Sequence, residues 1–483
     1  MNAKNQAHAD AAPVLLWFRY DLRLGDHDGV AEALASGGDI LPVYILDEKA
    51  GTRPLGAASR WWLDRSLRAL DKALRHKGSR LIVRQGASHP ALHKLIQETG
   101  ARTVICSRSF DPAMEDADDA LEKALKPEGV TLSRHNTTLM APPGLIRTGD
   151  GGFFKVFTPY FKALLASGLG DAHDMPGAPK GHWPAPRDWP DSVALDDLKL
   201  GGTRTASGKD WAAGFDRFTP GEAGALAALE DFIDTHLAHY ATERDRPDKD
   251  ATSHLSPHLR FGEISPRRIL SALDAAKTSH NAPSVEKFRS ELAWREFSYG
   301  LLTQQPRLDK INFRRDFDGF PWRDDDKGFR AWCRGETGYP LVDAGMRELW
   351  RTGYMHNRVR MVCASFLIKH LLIDWRRGER WFWDCLVDAD PANNTASWQW
   401  VAGCGADAAP YFRIFNPMTQ AEKFDPQGRY RKLYNVPDTQ NIHSKKGGDL
   451  FDMADETHGY PQPIVDHALA RERALEAYKQ RQA

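Results

Sequence analysis

The sequence has little cysteine and no excess of charge. Of 483 residues only five are cysteine, with no CxxC pair and no spacing typical of a metal site: Cys106, Cys333, Cys363, Cys385 and Cys404. We therefore expect a reducing, cytoplasmic location, no structural disulfide and no metal. Lys plus Arg and Asp plus Glu both total 65, so any contact with nucleic acid must come from a local patch.

Long hydrophobic runs are also missing. Residues 1–12 are polar and lack the apolar core of a signal peptide, and no segment approaches the length of a membrane-spanning helix. No GxGxxG pattern follows the first predicted strand, where the sequence reads WFRYDLRLGDHDG, so a nicotinamide dinucleotide site is not expected there. Tryptophan, in contrast, is abundant: nine of the 15 tryptophans lie between Trp294 and Trp400.

The periodicity of apolar residues predicts two domains of different class. Short buried strands are predicted at residues 14–18, 40–46, 80–83, 103–106 and 131–134, and helical patterns such as 59–76 lie between them. This alternation indicates a doubly wound α/β domain with a parallel sheet, over residues 13–135. Residues 136–220 are rich in Gly, Pro and Asp and are predicted to be an interdomain linker with a short helix at 157–165.

After residue 220 the pattern is helical, and we predict an all-α domain over residues 221–483. One long helix is expected from Glu222 to Thr242. Ser256-Pro257 and Ser265-Pro266 each combine a favoured N-cap residue with proline at the first helical position, which predicts two further helix starts.

The run from Gly338 to Pro417 concentrates aromatic, basic and acidic residues. Asn357 and Met361 are four residues apart and share one helix face, while another face carries an apolar stripe of Val359, Val362 and Phe366. Further along, acids and asparagines fall among poor helix formers between tryptophan-rich segments. Polar groups beside buried aromatic surface need partners, which a bound polar ligand would supply; an exposed turn is the alternative.

This run resembles the flavin-binding core of the DNA photolyase and cryptochrome family, and the resemblance extends from Val14 to about Phe424. It is closest to cyclobutane pyrimidine dimer photolyases; the stretches SPHLRFGEIS and ADPANNTASWQW resemble the bacterial class near plant cryptochromes. The resemblance implies an N-terminal α/β antenna domain, joined by a long linker to a C-terminal helical domain that binds FAD.

The stretch Trp17 to Asp26 resembles the N-terminal signature of the family, except that the usual Asp-Asn reads Asp26-His27. In the family this domain can carry a folate or a deazaflavin as antenna. The departure and the non-standard CSRSFDPAMED loop leave its identity open, and we expect a reduced folate, 5,10-methenyltetrahydrofolate.

The resemblance also assigns residues to FAD. The positions that match its ribose and pyrophosphate contacts are Tyr240, Arg244, Thr252, Ser253, Leu255 and Ser256. Hydroxyls at a helix start suit a phosphate, although two stacked N-caps have the same pattern. Arg360 and Asp388 are expected as an ion pair against the flavin ring, with Asp390 near its polar edge. Asn394, or its neighbour Asn393, is expected to face flavin N5, where a neutral amide can bond either protonation state.

Three tryptophans match the electron-transfer chain that leads from the flavin to the surface in the family: Trp398, Trp375 and Trp322. As isolated residues they would be ordinary core aromatics, and only their joint match favours the electron-transfer role.

The sequence FRSELAWREF supplies the residues expected to contact the lesion. Glu291 and Trp294 are three residues apart and share a helix face. They match the pair that contacts the dimer in the family, with Trp294 stacking on a base and Glu291 bonding the pyrimidine edge. Asn357, Met361 and Asn394 complete the catalytic set. The residues expected to contact DNA are Trp400, Arg295 and Arg358, with Arg289, Arg376, Arg377 and Arg380 as further candidates for a basic rim.

We therefore predict a monomeric, light-driven lyase that splits pyrimidine dimers in DNA with an electron from excited, reduced FAD. The alternative is a cryptochrome-like photoreceptor, against which stand the Glu291 and Trp294 pair and the short stretch of about sixty residues after Phe424. HNRVRM lacks the second histidine expected for repair of (6-4) photoproducts and has methionine where single-strand-specific relatives typically carry glutamine. Strand preference and any added signalling role stay open. A dark flavin oxidoreductase would need a hydride-donor site, which the sequence does not show.

Overall fold

The structure is a computed structural model that describes residues 11–48, 53–169, 175–203, 208, 210–408, 412–436 and 460–481. The chain divides into two compact units. The first, the sheet unit, comprises Met1–Gly208, Phe218–Thr235 and Ser253–Pro306. The second, the helical unit, comprises Lys209–Arg217, His236–Thr252 and Arg307–Ala483. Several helices that follow residue 220 therefore group with the sheet.

Five parallel strands form the sheet in the order β3-β2-β1-β4-β5. The strands are β1 (Val14–Phe18), β2 (Ile40–Leu46), β3 (Ile82–Gln85), β4 (Thr103–Ser107) and β5 (Thr131–His135). Val14 lies opposite both Ile40 and Thr103 in the register, and every residue of β1 and β2 is buried, as expected for a sheet covered on both faces. The predicted doubly wound α/β fold is confirmed, with β3 displaced by two residues from its predicted position.

Among the described residues, ten α-helices lie before residue 307 and eight after it. The first group is α1 (Asp28–Ala35), α2 (Ala57–Arg75), α3 (Ser88–Thr99), α4 (Pro112–Leu125), α5 (Phe157–Ala166), α6 (Glu222–Asp231), α7 (Tyr240–Glu243), α8 (Ser256–Arg260), α9 (Pro266–Ala275) and α10 (Ala282–Gln304). The second group is α11 (Asp326–Arg334), α12 (Pro340–Thr352), α13 (Asn357–Ser365), α14 (Trp375–Cys385), α15 (Asn393–Ala402), α16 (Pro417–Phe424), α17 (Arg429–Leu433) and α18 (His467–Gln480). Among these residues no helix is both long and apolar enough to cross a membrane.

Two helix predictions were wrong in detail. One continuous α-helix was expected from Glu222 to Thr242, but α6 ends at Asp231. A π turn and a 3-10 turn follow before the short α7, so no single apolar face extends over the whole predicted range. Ser256 is the first residue of α8 and not its cap, which is Leu255. Ser265 caps α9 as predicted, since its side chain accepts from the Arg268 N–H.

The departure at His27 has a structural explanation. Its Nδ1 accepts a 3.2 Å hydrogen bond from the Val30 N–H and caps α1, so the ring proton is on Nε2, which donates to Asp21 at 2.9 Å. Burial raises the pKa of Asp21, but hydrogen bonds from His27, Ser107 and the Arg19 N–H outweigh it and hold the pKa at about 2. His27 therefore replaces a capping amide and also stabilises a buried carboxylate.

Gly262 allows a close approach within the sheet unit. Its φ of +62° lies in the left-handed region, and a Cβ there would overlap the Tyr20 carbonyl. The segment that follows β1 is fixed at this point, because Leu22 N donates to Phe261 O at 3.1 Å and Arg23 Nη1 donates to Gly262 O at 2.9 Å.

We expect Gly262→Ala to lower the free energy of unfolding by about 2–4 kcal/mol, since it adds overlap to backbone strain. Gly37→Ala is the matched control, because Gly37 has a φ of +77° and a Cβ added there would meet no atom within 4 Å, so only strain of about 1 kcal/mol applies. Urea unfolding followed by tryptophan fluorescence measures both. If both variants lost the same free energy of unfolding, the close approach at Gly262 would not contribute to stability.

Candidate functional site

Asp388 and Asp390 are buried in the segment between α14 and α15. Their exposed fractions are 8% and 5%, which excludes an exposed turn. Asp388 Oδ2 accepts a 2.9 Å hydrogen bond from Arg360 Nη2, and Arg360 Nε donates to the Met355 carbonyl at 2.6 Å. The helical unit thus contains the Arg360–Asp388 ion pair, with the guanidinium aimed by a second, backbone acceptor.

The two neighbouring asparagines have different partners. Asn393 turns back to Asp390, whose Oδ1 accepts from both its backbone N–H and its Nδ2 at 2.8 Å. Asn394 Nδ2 instead donates to Glu379, at 2.7 Å to Oε1 and 3.2 Å to the carbonyl. Because an ionised carboxylate only accepts, the amide nitrogen of Asn394 faces Glu379 and its Oδ1 is directed elsewhere.

Glu379 was not found by sequence reasoning. It lies on α14, fifteen residues before Asn394, and is 1% exposed. Thr395 Oγ1 also donates to its Oε1, at 3.2 Å. A single glutamate within RRGERWF carries no pattern that distinguishes it from a surface acid.

Glu348 is a second residue that the sequence did not indicate. This buried carboxylate on α12 accepts from Tyr430 Oη at 2.5 Å, from Tyr434 Oη at 3.3 Å and from the His356 N–H at 3.2 Å. Burial raises its pKa, while the bonds from Tyr430 and His356 act in the opposite direction. His356 caps α13 through a bond from the Arg358 N–H. Glu348 therefore fixes the start of the helix that carries Arg360.

The predicted phosphate and ribose residues fall in both units. In the helical unit Arg244 Nη1 donates to Tyr240 Oη at 3.2 Å, and Thr252 is hydrogen-bonded to Tyr354. In the sheet unit Ser253 Oγ accepts from the Leu255 N–H at 3.4 Å, and Ser256 opens α8. Ser253 therefore caps the turn before α8.

Trp398 and Trp375 are 2% and 0% exposed, and Trp322 is half-buried against the same apolar core. Gly378, one turn after Trp375 on α14, lies so close to Trp398 that a Cβ would overlap its ring. Trp332, which sequence reasoning did not single out, meets Trp398 edge-on with ring centroids 6.2 Å apart. Among so many tryptophans, no sequence signal marks this one.

Glu291 and Trp294 lie on α10 in the sheet unit. Glu291 forms a 3.0 Å ion pair with Lys287, one turn earlier. Phe157, at the start of α5, stacks on Trp294 with centroids 3.7 Å apart and an interplanar angle of 7°. One face of the indole is thus covered, and Phe157 holds the ring in a fixed plane.

Most of the predicted basic rim is paired with acids or carbonyls. Arg295 donates to the Thr138 carbonyl at 2.8 Å and to that of Leu259 at 3.4 Å, and Arg358 pairs with Asp245 at 2.8 Å. Trp400 Nε1 donates to the Asp407 carbonyl at 3.0 Å. Three further arginines have acidic partners: Arg289 with Asp274, Arg376 with Asp374, and Arg377 with Asp324 and Asp326. Arg380, on α14, is exposed.

A cavity of about 320 Å³ lies at the carboxyl ends of the strands in the sheet unit. Its wall includes residues that follow β1 and β2 and residues of α4, among them Arg19, Tyr20, Asp47, Met114 and Asp118. Ligands of open parallel sheets bind at this edge. His27 is not among the described residues that line the cavity, so the sequence departure does not alter its wall.

Three buried polar atoms of residues that line this cavity have no hydrogen-bond partner among the described residues: Trp17 Nε1, Arg19 Nε and Asp118 Oδ2. Asp118 Oδ1 is bound by Arg19 Nη1 at 2.9 Å. Burial raises the pKa of Asp118, and the Arg19 charge opposes this increase without cancelling it. Buried polar atoms are normally satisfied, so the cavity suits a ligand with both a donor and an acceptor.

Comparison with known proteins covers nearly the whole chain. The profile of the family described as DNA photolyase matches residues 14–180, and that of the FAD binding domain of DNA photolyase matches residues 288–480. A deoxyribodipyrimidine photo-lyase of Agrobacterium fabrum is 48% identical, with 97% of this chain and 98% of that protein covered.

Solved structures agree with this assignment. A class III photolyase of Agrobacterium tumefaciens has 47% identity and a TM-score of 0.92, with 98% of both chains covered. An archaeal photolyase of Sulfolobus tokodaii with two FAD molecules has 30% identity and a TM-score of 0.78, with 97% of this chain and 100% of that chain covered. On this evidence the chain belongs to the DNA photolyase and cryptochrome family.

Proposed function

We propose that the protein is a light-driven lyase, a deoxyribodipyrimidine photo-lyase, that splits cyclobutane pyrimidine dimers in DNA. The observation that carries the proposal is the presence, in one chain, of the Arg360–Asp388 ion pair, whose carboxylate is buried, and of a Glu291–Trp294 pair, at positions that resemble those of the family for flavin and lesion. The relatives of nearly equal length that are named photo-lyases support the same activity.

FAD is the cofactor, and the residues present fit it. Arg360 and Asp388 would hold the polar part of the flavin ring with Asp390, and the hydroxyls of Tyr240, Thr252, Ser253 and Ser256 would hold ribose and pyrophosphate with Arg244 and Leu255. When bound in its reduced form, FAD would supply light-driven one-electron chemistry, in which an electron passes to the dimer and returns, so that no net redox change results. The side chains position the dimer, exclude water and stabilise its transient charge.

Both apolar and polar side chains would hold the lesion. The face of Trp294 opposite Phe157 offers a flat surface for a base, while Asn357 and Met361 present one face at the start of α13. Enzymes that act on a base take it out of the stack, and this costs less for a distorted dimer. Stacking a base on an aromatic ring contributes roughly 1–3 kcal/mol, which is of the same order as the cost of extrusion.

The partner would be DNA that contains pyrimidine dimers, and the protein would act as a monomer. Arg295, Arg358 and Trp400 would contact the DNA strand. Because the net charge of the whole chain is zero, the attraction to DNA would come from this local patch. A cytoplasmic location belongs to the same proposal, because the five cysteines are all free.

Blue-light repair of an oligonucleotide with one cyclobutane thymine dimer tests the activity directly. We expect repair by the reduced protein in light and none in darkness. Glu291→Ala should lower the apparent affinity or yield by roughly tenfold to a hundredfold, because it removes a charged hydrogen bond of about 1.5–3 kcal/mol.

Glu286→Ala is the matched control for this measurement, since Glu286 lies on the same helix and pairs with Lys277 at the surface. If the flavin is photoreduced but no dimer is split, the protein is a cryptochrome-like photoreceptor instead of a repair enzyme.

The orientation of Asn394 supports its assignment to flavin N5 in preference to Asn393. With Nδ2 held by Glu379, Oδ1 is the atom left to meet the ligand, and it can accept from the N5–H of reduced flavin. Asn393 is already committed to Asp390.

Asn394→Ala should lower the two-electron midpoint potential of bound FAD by roughly 10–30 mV, because a neutral hydrogen bond to the reduced form contributes about 0.5–1.5 kcal/mol. Asn393→Ala should leave the potential near the wild-type value. Spectroelectrochemical titration measures both, and the reverse pattern would assign the role to Asn393.

We further propose that the cavity beside Asp118 holds the antenna, a reduced folate such as 5,10-methenyltetrahydrofolate. The amino and ring N–H groups of a pterin would satisfy Asp118 Oδ2, and an oxygen or nitrogen of the ligand would accept from Trp17 Nε1. A deazaflavin, or a second flavin, also carries donors and acceptors along one ring edge and is the alternative occupant.

Trp17→Phe should weaken retention of the antenna by roughly fivefold to tenfold, the effect of one lost hydrogen bond of about 1–1.4 kcal/mol. Asp119→Asn is the control, because Asp119 faces solvent and pairs with Arg134. Mass spectrometry of the chromophore released from each protein measures retention and identity together. Release of a flavin in place of a folate would contradict the folate assignment, and equal retention in all proteins would place the antenna elsewhere.

A further inference from the structure

Trp375 makes a hydrogen bond that the sequence did not reveal. Its indole Nε1 donates to Asn312 Oδ1 at 2.9 Å, across 63 residues of sequence. Trp375 is 0% and Asn312 1% exposed, so bulk water does not compete for this proton. The acceptor of the Trp375 proton is therefore a single amide oxygen.

The amide of Asn312 is held in one orientation. Its Nδ2 donates to Asp318 Oδ1 at 2.8 Å, and its Oδ1 accepts a second bond from Arg376 Nη2 at 3.2 Å. A carboxylate only accepts and a guanidinium only donates, so the nitrogen must face Asp318 and the oxygen must face Arg376 and Trp375. Trp375 consequently meets a neutral group that is a very weak base.

Arg376 also places a positive charge beside the indole. Its guanidinium carbon lies 4.7 Å from the centroid of the Trp375 ring, and both Asp374 oxygens hold Nη1 at 3.1 Å. A nearby cation disfavours a second positive charge on the ring, whereas the Asp374 carboxylate that pairs with Arg376 acts in the opposite direction. Because the acceptor of the indole N–H is a neutral amide oxygen, an electron vacancy on Trp375 is not trapped by loss of a proton.

The sheet unit contains the opposite arrangement. The indole N–H of the buried Trp62 donates to the carboxylate of Glu263 at 3.0 Å, an acceptor that can take a proton. A buried tryptophan of this chain can therefore have a carboxylate as its partner. The neutral partner of Trp375 is thus a specific feature of that site and not a general requirement of burial.

We propose that Asn312 and Arg376 are positioning residues that make Trp375 a relay, through which an electron vacancy passes to Trp322 while the indole N–H stays intact. The inference rests on the proposed tryptophan chain. One electron moves from Trp375 to oxidised Trp398, and one then moves from Trp322 to Trp375. No N–H bond breaks at Trp375, and any proton is released from the half-buried Trp322.

The test exchanges the two polar side chains. In the double variant Asn312→Asp/Asp318→Asn, the new carboxylate at position 312 accepts hydrogen bonds from Trp375 and Arg376. The new amide at position 318 donates to this carboxylate, and the net charge of the protein is unchanged. Transient absorption after a blue flash on the oxidised, FAD-loaded protein distinguishes protonated from deprotonated tryptophan radicals. We expect the deprotonated radical to form on Trp375 in the double variant, and transfer to Trp322 to slow at least tenfold.

Asp318→Asn alone is the matched control, because it removes the same surface charge without placing a base beside Trp375. It should keep wild-type kinetics. If the double variant does not fold, Arg376→Gln provides the second measurement: with the cation gone, the protonated Trp375 radical should persist longer before transfer. Wild-type kinetics in every folded variant, or a slow step equally present in the control, would overturn the proposal.

Two further results separate this inference from the proposed function. Trp398→Phe should abolish photoreduction, and a normal rate in that variant would refute the tryptophan chain itself. Dimer repair by chemically reduced double variant should match the wild type, because repair does not use the chain. If repair is lost there, the exchange has damaged the flavin site, and the slow transfer would no longer support the role of Asn312.

Discussion

The helical unit depends on how it satisfies carboxylates that are buried among aromatic rings. Asp388, Glu379 and Glu348 are all less than a tenth exposed, and an unpaired charge in such surroundings would cost several kcal/mol. Arg360 compensates Asp388, an amide and a hydroxyl donor compensate Glu379, and two tyrosines with one backbone N–H compensate Glu348. Each acid is thereby tied to the start of a helix or to the side chain of Arg360 or Asn394.

These hydrogen bonds connect residues that are far apart in sequence. Tyr430, on α17, bonds Glu348 on α12, and Glu348 in turn holds the backbone of His356 at the start of α13. A change in α17 is therefore transmitted to Arg360 through two hydrogen bonds and one helix turn. The apolar side of the same helix, with Val359 and Val362 fully buried, resists any compensating shift.

Local patterns predicted a large part of this molecule and failed where long-range contacts decide. Buried strands such as Val14–Phe18 and the capped α9 follow from periodicity and from Ser265-Pro266. The predicted helix from Glu222 was longer than the observed one, because the apolar pattern does not reveal the π turn at 232–236. The Arg360–Asp388 ion pair was predictable from the family resemblance. Glu379, Glu348 and Asn312 were not, because each is identified only by a partner distant in sequence.

Asn394 and Asn312 share one arrangement. In each, a carboxylate binds the amide nitrogen, Glu379 in the first case and Asp318 in the second, so the amide oxygen points away from it. The carboxylate sets the orientation of the amide, but the amide group separates it from the group that contacts the amide oxygen. A carboxylate in direct contact would add full charge and a base, whereas the amide adds a dipole and no base. At Asn312 the oxygen accepts from the Trp375 N–H, and at Asn394 the same orientation would provide an acceptor for the reduced flavin of our proposal. Both amides thus turn a negative charge, buried at Glu379 and exposed at Asp318, into a neutral, oriented contact, which would suit groups that must change their electron count and keep their protons.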